Sequence, residues 1–280
     1  MATESTLSTF VASDGDNIAV QDWPLAQGQT LRGVVLVVHG LGEHAGRYDR
    51  LANRLNGWGF AVRGYDLHGH GESGGVRGGM PNDSRMLDDL ADILDSTRKQ
   101  IKPGCPLILL GHSLGGLIAA RFVSLKMRPV EALVMSSPAL DPALNAFQKF
   151  LLAVLPSIAP NLRVSNDLDI SKISHDPAIV SAYRSDKLVH DRISARLAKF
   201  IADAGIATLA VAPQWSTPTL LLYAGQDKLV APSGSKAFEA AAPVTVVTTR
   251  CFEDLYHEIF NELDVEPVFA ELKAWLSARF

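Results

Sequence analysis

A chain of 280 residues, 47% hydrophobic and 20% charged, is long enough to bury one large core with a smaller segment inserted in it. A net charge of −4, with no run of Lys and Arg to displace counterions from a phosphate backbone, excludes nucleic acid as the expected partner. No stretch reaches the ~18 uninterrupted apolar residues of a membrane span, and the opening MATESTLSTFVASDGDN lacks the basic and apolar regions of a signal peptide; the expected location is cytoplasmic, at most peripheral to a membrane.

In chain order, STLSTFVA and NIAVQDW flank the turn DGDN and predict an opening hairpin. GVVLVV, FAVRGY, PLILL, ALVMSS, TLLLYAG and VTVVTT then read as strands. Helical periodicity falls between them, over about 46–58, 84–102, 114–126, 232–241 and 267–280. Strand and helix in alternation predict an α/β fold, a mostly parallel sheet of about eight strands flanked by helices.

One interval breaks the rhythm. Between ALVMSS and TLLLYAG lie about eighty residues with no convincing strand, where ~4–6 residues would be an ordinary connection. This predicts an inserted helical cap, and so a division into 1–138 (core, first part), 139–216 (cap) and 217–280 (core, second part). In the cap, FQKFLLAVLPSIAP brings Phe147, Phe150, Leu151, Val154, Leu155 and Ile158 toward one side. That face packs on the sheet, lines an acyl-chain pocket or touches lipid. Cys105 and Cys251, far apart and each beside a strand, read as buried thiols rather than a disulfide.

The chemistry centres on GHSLGG, at 111–116 between PLILL and the helical run LIAARFVSLKM. A strand running into G-x-S-x-G and then a helix lifts the serine above the sheet edge, and Gly111 and Gly115 leave room for the tight contact. Ser113 is therefore the expected nucleophile, with the dipole of the following helix at the site of developing negative charge. A serine hydroxyl needs a base held by a carboxylate. Of the eight histidines, only His257 lies after the last predicted strand, where the order Ser, acid, His places the base. The acid is Asp227 in TLLLYAGQD, with Asp141 in SSPALD as the alternative. The backbone N–H of Leu114, after the nucleophile, and of Leu41, after GVVLVV, are the expected oxyanion donors.

HGLGEHAGRY, GYDLHGHGES, GHSLGG, YAGQDKLVAP and LYHEIFNE, in this order, resemble the monoacylglycerol lipase and lysophospholipase-like branch of the α/β-hydrolases, as does the cap stretch ISHDPAIVSAYRSDKLVHDRISARL. The resemblance covers nearly everything from about Gly33 on, and HGLGEH is its more specific part. It implies a serine ester hydrolase acting on a single acyl chain joined to glycerol or a similar polar group, with Ser113, Asp227 and His257 as triad and Leu41 and Leu114 as donors. It implies no cofactor. Glu43, His44, Arg47 and Tyr48 read as a polar pocket for the alcohol part of the substrate or as residues ordering the oxyanion loop, while Glu43 and Arg47 could equally brace the helix near Gly46. The pocket candidates are thus Glu43, Arg47, Phe147 and Leu151.

The H-x-H of DLHGHG has no further ligand cluster to support a metal. The expected partner is a small ester or single-chain lipid, with transient membrane-surface contact through the cap; oligomeric state is not legible in the sequence. A peptidase, amidase or acyltransferase could use the same triad, and a non-catalytic ligand-binding protein could retain it. An epoxide or haloalkane hydrolase would want a carboxylate in place of Ser113.

Overall fold

In this computed structural model residues 4–141 and 146–280 are described, and the side chains of 146–149 lie outside the description. The strands are β1 (Thr6–Val11), β2 (Asn17–Trp23), β3 (Gly33–Val38), β4 (Phe60–Tyr65), β5 (Leu107–His112), β6 (Ala132–Ser136), β7 (Arg163–Ser165), β8 (Arg192–Ser194), β9 (Thr219–Ala224) and β10 (Val247–Phe252). The helices are α1 (Asp49–Asn56), α2 (Arg85–Gln100), α3 (Leu114–Ser124), α4 (Ala146–Ile158), α5 (Pro177–Ser185), α6 (Ala195–Val211), α7 (Pro232–Ala241) and α8 (Glu266–Ser277).

Among the described residues the main sheet has eight strands in the order β1-β2-β4-β3-β5-β6-β9-β10. From β4 to β10 all pairs are parallel, and the β1–β2 hairpin joins antiparallel to β4. A strand covered on both faces must be apolar throughout, and GVVLVV meets that demand: every residue of β3 is buried. Its side chains alternate. Val34, Leu36 and Val38 join a core with Leu90 and Leu94 of α2 and Leu117 of α3, while Val35 and Val37 join one with Leu51 and Leu55 of α1 and Phe269 and Leu272 of α8. The carboxyl ends of the parallel strands share one edge, so the loops after β3, β5, β9 and β10 converge there.

The cap between β6 and β9 is anchored by α6, whose Leu197 and Ala204 are buried in the core with α3. Gly205 lets that helix approach the chain after β6: a Cβ there would lie 2.5 Å from the Leu140 carbonyl oxygen. Three expectations need correction. The cap holds strands after all, because β7 and β8 pair antiparallel with Val164 opposite Ile193; three residues are too short to show an alternation. The last strand is not VTVVTT but lies three residues on, because the N–H groups of Val246 and Val247 both turn back to Pro243. The helix expected from 46 begins at Asp49, preceded by a single 3-10 turn, Ala45–Tyr48.

Candidate active site

Ser113 stands alone between β5 and α3 with φ 54° and ψ −119°. This conformation costs a non-glycine residue about 1–3 kcal/mol and survives only where its surroundings enforce it. Three hydrogen bonds do so: its N–H donates to Ser136 O at 2.9 Å, and its carbonyl accepts from Leu117 and Ala139 at 3.1 and 3.0 Å. The flanking glycines are sterically required, since a Cβ on Gly111 would come 2.3 Å from Gly115 O, and one on Gly115 would come 2.0 Å from Val38 O.

The loop after β9 holds Asp227. Its Oδ1 accepts the N–H groups of Leu229 and Val230, each at 2.9 Å, and its Oδ2 lies 2.6 Å from His257 Nδ1. Burial alone would push this carboxyl up, but the His257 charge, their hydrogen bond and the two backbone donors hold it below its ordinary range. For buried His257, burial works against protonation, yet the Asp227 charge and hydrogen bond, with Glu258 and Glu43 nearby, raise the imidazole above its ordinary 6.5. With Nδ1–H directed at Asp227, Nε2 is the acceptor nitrogen. Asp141, the alternative acid, instead accepts from Ser233 Oγ at 2.8 Å.

Ser113 and His257 line one cavity of about 460 Å³, together with Leu41 and Leu114. Among the described residues neither the Leu41 nor the Leu114 N–H has a hydrogen-bond acceptor. Leu151, Leu152 and Leu155 of α4 form an apolar wall of the same cavity. The side chain of Phe147 lies outside the described residues.

Glu43 and Arg47 do not line this cavity; they line a separate small pocket with Tyr48, His112 and Glu258. Glu43 Oε1 accepts from Gly40 N at 2.5 Å and Tyr48 OH at 2.6 Å. Arg47 bridges Glu43, through Oε2, and Glu258, to which it donates twice at 2.8 and 2.9 Å. The loop that carries Leu41 is thereby tied, through Glu43 and Arg47, to the residue next to His257. Burial would raise the Glu43 carboxyl, but Arg47 foremost, then His112, His39 and the Tyr48 hydrogen bond, bring it down to about 2. Glu258 was missed in the sequence. Its adjacency to His257 was visible, but its partner lies 211 residues away.

The remaining histidines have structural partners. His39 Nε2 accepts from Leu67 N at 2.9 Å and its Nδ1 faces Gly40 O at 2.8 Å, so the ring is neutral and holds the start of the loop. His112 packs on His257 with ring centroids 4.6 Å apart, and burial, aided by the His257 charge, lowers it to about 3. His44 joins Asp186 of the cap at 2.8 Å and His175 joins Glu262 at 2.9 Å. In DLHGHG, His68 faces Asp16 and His70 Nδ1 lies 3.0 Å from His68 O; among the described residues no cluster of His, Cys, Asp and Glu could hold a metal. Cys105 and Cys251 are half-buried free thiols.

The model of the Hydrolase_4 family, described as serine aminopeptidase, S33, matches residues 29–264. The chain belongs to the Hydrolase_4 family. The monoacylglycerol lipase of Mycolicibacterium smegmatis is 32% identical over 249 residues, 88% of each chain. An uncharacterized abhydrolase domain-containing protein of Dictyostelium discoideum is 32% identical over 98% of this chain, which spans 29% of that longer protein. The crystal structure of Paleococcus ferrophilus monoacylglycerol lipase superposes with a TM-score of 0.83 at 33% identity, covering 99% of this chain and 100% of that one. As a Hydrolase_4 α/β-hydrolase the protein is a serine hydrolase, similar to monoacylglycerol lipases.

Proposed function

We propose that the protein hydrolyses carboxylic esters of a single acyl chain, monoacylglycerols or lysophospholipids first among them, through an acyl-enzyme on Ser113. The observation that carries this reading is the cavity of about 460 Å³ that joins Ser113 and His257 to the leucine wall of α4. Its size falls within the ~300–1,000 Å³ of small-molecule sites, and its lining is apolar as an alkyl chain requires. His257 Nε2 takes the Ser113 proton as the oxygen attacks the ester carbon, and the N–H groups of Leu41 and Leu114 receive the oxyanion. Asp227 holds the imidazole tautomer and stabilises its cation. His257 then protonates the departing alcohol, and water repeats the steps on the acyl-enzyme.

The likeness to lipases supports an ester substrate, while the family description names aminopeptidases. An aminopeptidase must hold the α-ammonium of its substrate. Among the described lining residues the carboxylates outside the triad reduce to Asp167, which is exposed; the apolar wall favours the lipid ester.

Residues 139–216 serve in this reading as the lid. Phe150 and Ile158 of α4 are 61% and 76% exposed, and Leu162 and Val164, which line the cavity, are exposed too, apolar surface suited to transient contact with a lipid surface. No helix among the described residues is long and apolar enough to cross a membrane. Monoacylglycerols, lysophospholipids, short aryl esters, triglycerides and aminoacyl amides assayed side by side test the reading. The single-chain lipid esters should lead the panel, and Ser113→Ala should abolish turnover of all. Preference for the amides, or undiminished turnover by the variant, would refute it.

A further inference from the structure

The cavity is apolar along α4, yet one short stretch of its wall, Ser165 at the end of β7 with Asn166 and Asp167 after it, is polar. Most of its hydrogen-bonding capacity is spent locally. Ser165 Oγ accepts from Asp167 N, and Asn166 Oδ1 accepts from Leu168 N at 3.1 Å. The Asn166 backbone N–H is also committed, to Asp191 O at 2.6 Å. These contacts fix the amide and leave its Nδ2, with two N–H donors, without an acceptor among the described residues.

Its position follows from the oxyanion loop. A Cβ placed on Gly42 would lie 3.7 Å from Asn166 Nδ2, and Gly42 is the residue after the expected donor Leu41. The Gly42 carbonyl already accepts from His190 N at 2.9 Å. The loop thus meets the cap at this point, and Asn166 Nδ2 lies close to the residue after Leu41, in the wall of the cavity that Ser113 also lines. In any ester the alcohol oxygen is bonded to the carbon that the oxyanion site grips. If the acyl chain runs along the leucines of α4, the further oxygens of the alcohol must lie within a few bonds of that loop.

Resting on the ester-hydrolase reading above, we infer that Asn166 is a specificity-determining residue: its Nδ2 donates to an oxygen of the alcohol part of the substrate, selecting esters of polyols or phosphorylated alcohols over esters of plain alkanols. A neutral donor lost from such a contact costs about tenfold in kcat/KM. A methyl ester has no such oxygen, and its turnover does not depend on the amide.

The test compares a monoacylglycerol with the methyl ester of the same fatty acid, in the same detergent, for the wild type, Asn166→Ala and Asn166→Ser. Serine retains a short side-chain oxygen for the Leu168 N–H and removes the long amide donor. Both variants should lose about tenfold in kcat/KM on the monoacylglycerol and stay within about twofold on the methyl ester. An equal loss on both esters would mean that Asn166 only shapes the loop, and no loss on either would mean that it meets nothing; both overturn the assignment. A wild type inactive on both esters would overturn the hydrolase reading itself.

Discussion

Replacing Arg47 with Met probes the brace behind the active site, because it removes the cation between two buried carboxylates while keeping an unbranched apolar stem. Glu43 and Glu258 have side chains only 5% and 6% exposed. Without Arg47, Glu43 keeps its Gly40 and Tyr48 donors, whereas Glu258 loses two of its three side-chain hydrogen bonds and retains Asn261 Nδ2. Breaking a buried ion pair from one side costs about 3–5 kcal/mol, a large share of the ~5–15 kcal/mol that holds a domain folded. Equilibrium urea unfolding should report that loss at neutral pH. The pH dependence gives a second readout. The folded Glu43 carboxyl, at about 2, lies below its ordinary 4.5. The stability it contributes is therefore complete above 4.5 and lost as pH falls toward about 2. The deficit of Arg47→Met should shrink through that window, since a protonated Glu43 no longer needs its cation. A loss under about 1 kcal/mol, the worth of a surface pair, or a deficit unchanged down to the lower limit, would refute the reasoning.

The raised imidazole of His257 must be neutral to accept the Ser113 proton, so kcat/KM should fall on the acid side with a midpoint above 6.5; a midpoint below that value would contradict the Asp227 interaction. Asp227→Asn should lower kcat by about 10⁴-fold through loss of the correct tautomer, whereas Asp141→Asn should leave it within about twofold, as expected of a residue outside the site; steady-state kinetics on an aryl ester distinguishes them. Gly115→Ala should fail to fold or unfold far below the wild type in thermal melts, because its methyl would collide with the Val38 carbonyl. Leu151→Trp should narrow the α4 wall and depress turnover of long-chain esters more than of acetates, which a series of p-nitrophenyl esters would read directly.

What could be read in advance was whatever follows from local chemistry. The strand–glycine–serine–glycine–helix order at 107–124 specifies the elbow, because only glycine tolerates the approaches at 111 and 115, and the order Ser113, Asp227, His257 assigned positions that the structure brings together around β5, β9 and β10. GVVLVV was legible as a strand from its unbroken apolar run, while the two faces it serves were not. The brace was not, because the 43–47 spacing is equally that of an ordinary helical pair and nothing local points Arg47 at Glu258. The shift of the last strand escaped notice because VTVVTT has strand composition throughout, and only the turn at Pro243 decides where pairing with β9 starts. In the cap, the apolar spacing in α4 showed a hydrophobic side without separating the leucines that face the cavity from Phe150 and Ile158, which face outward.

Trapping the covalent intermediate tests the central claim most directly. The wild-type protein, mixed with a p-nitrophenyl acyl ester and quenched in acid during the first turnovers, is weighed intact and then mapped by peptide mass spectrometry. One acyl group should be found, on the peptide carrying Ser113 and on that side chain, and it should be absent from Ser113→Ala. Rapid turnover with no acyl adduct at any time, or an adduct on another residue that persists in the variant, would contradict nucleophilic catalysis by Ser113.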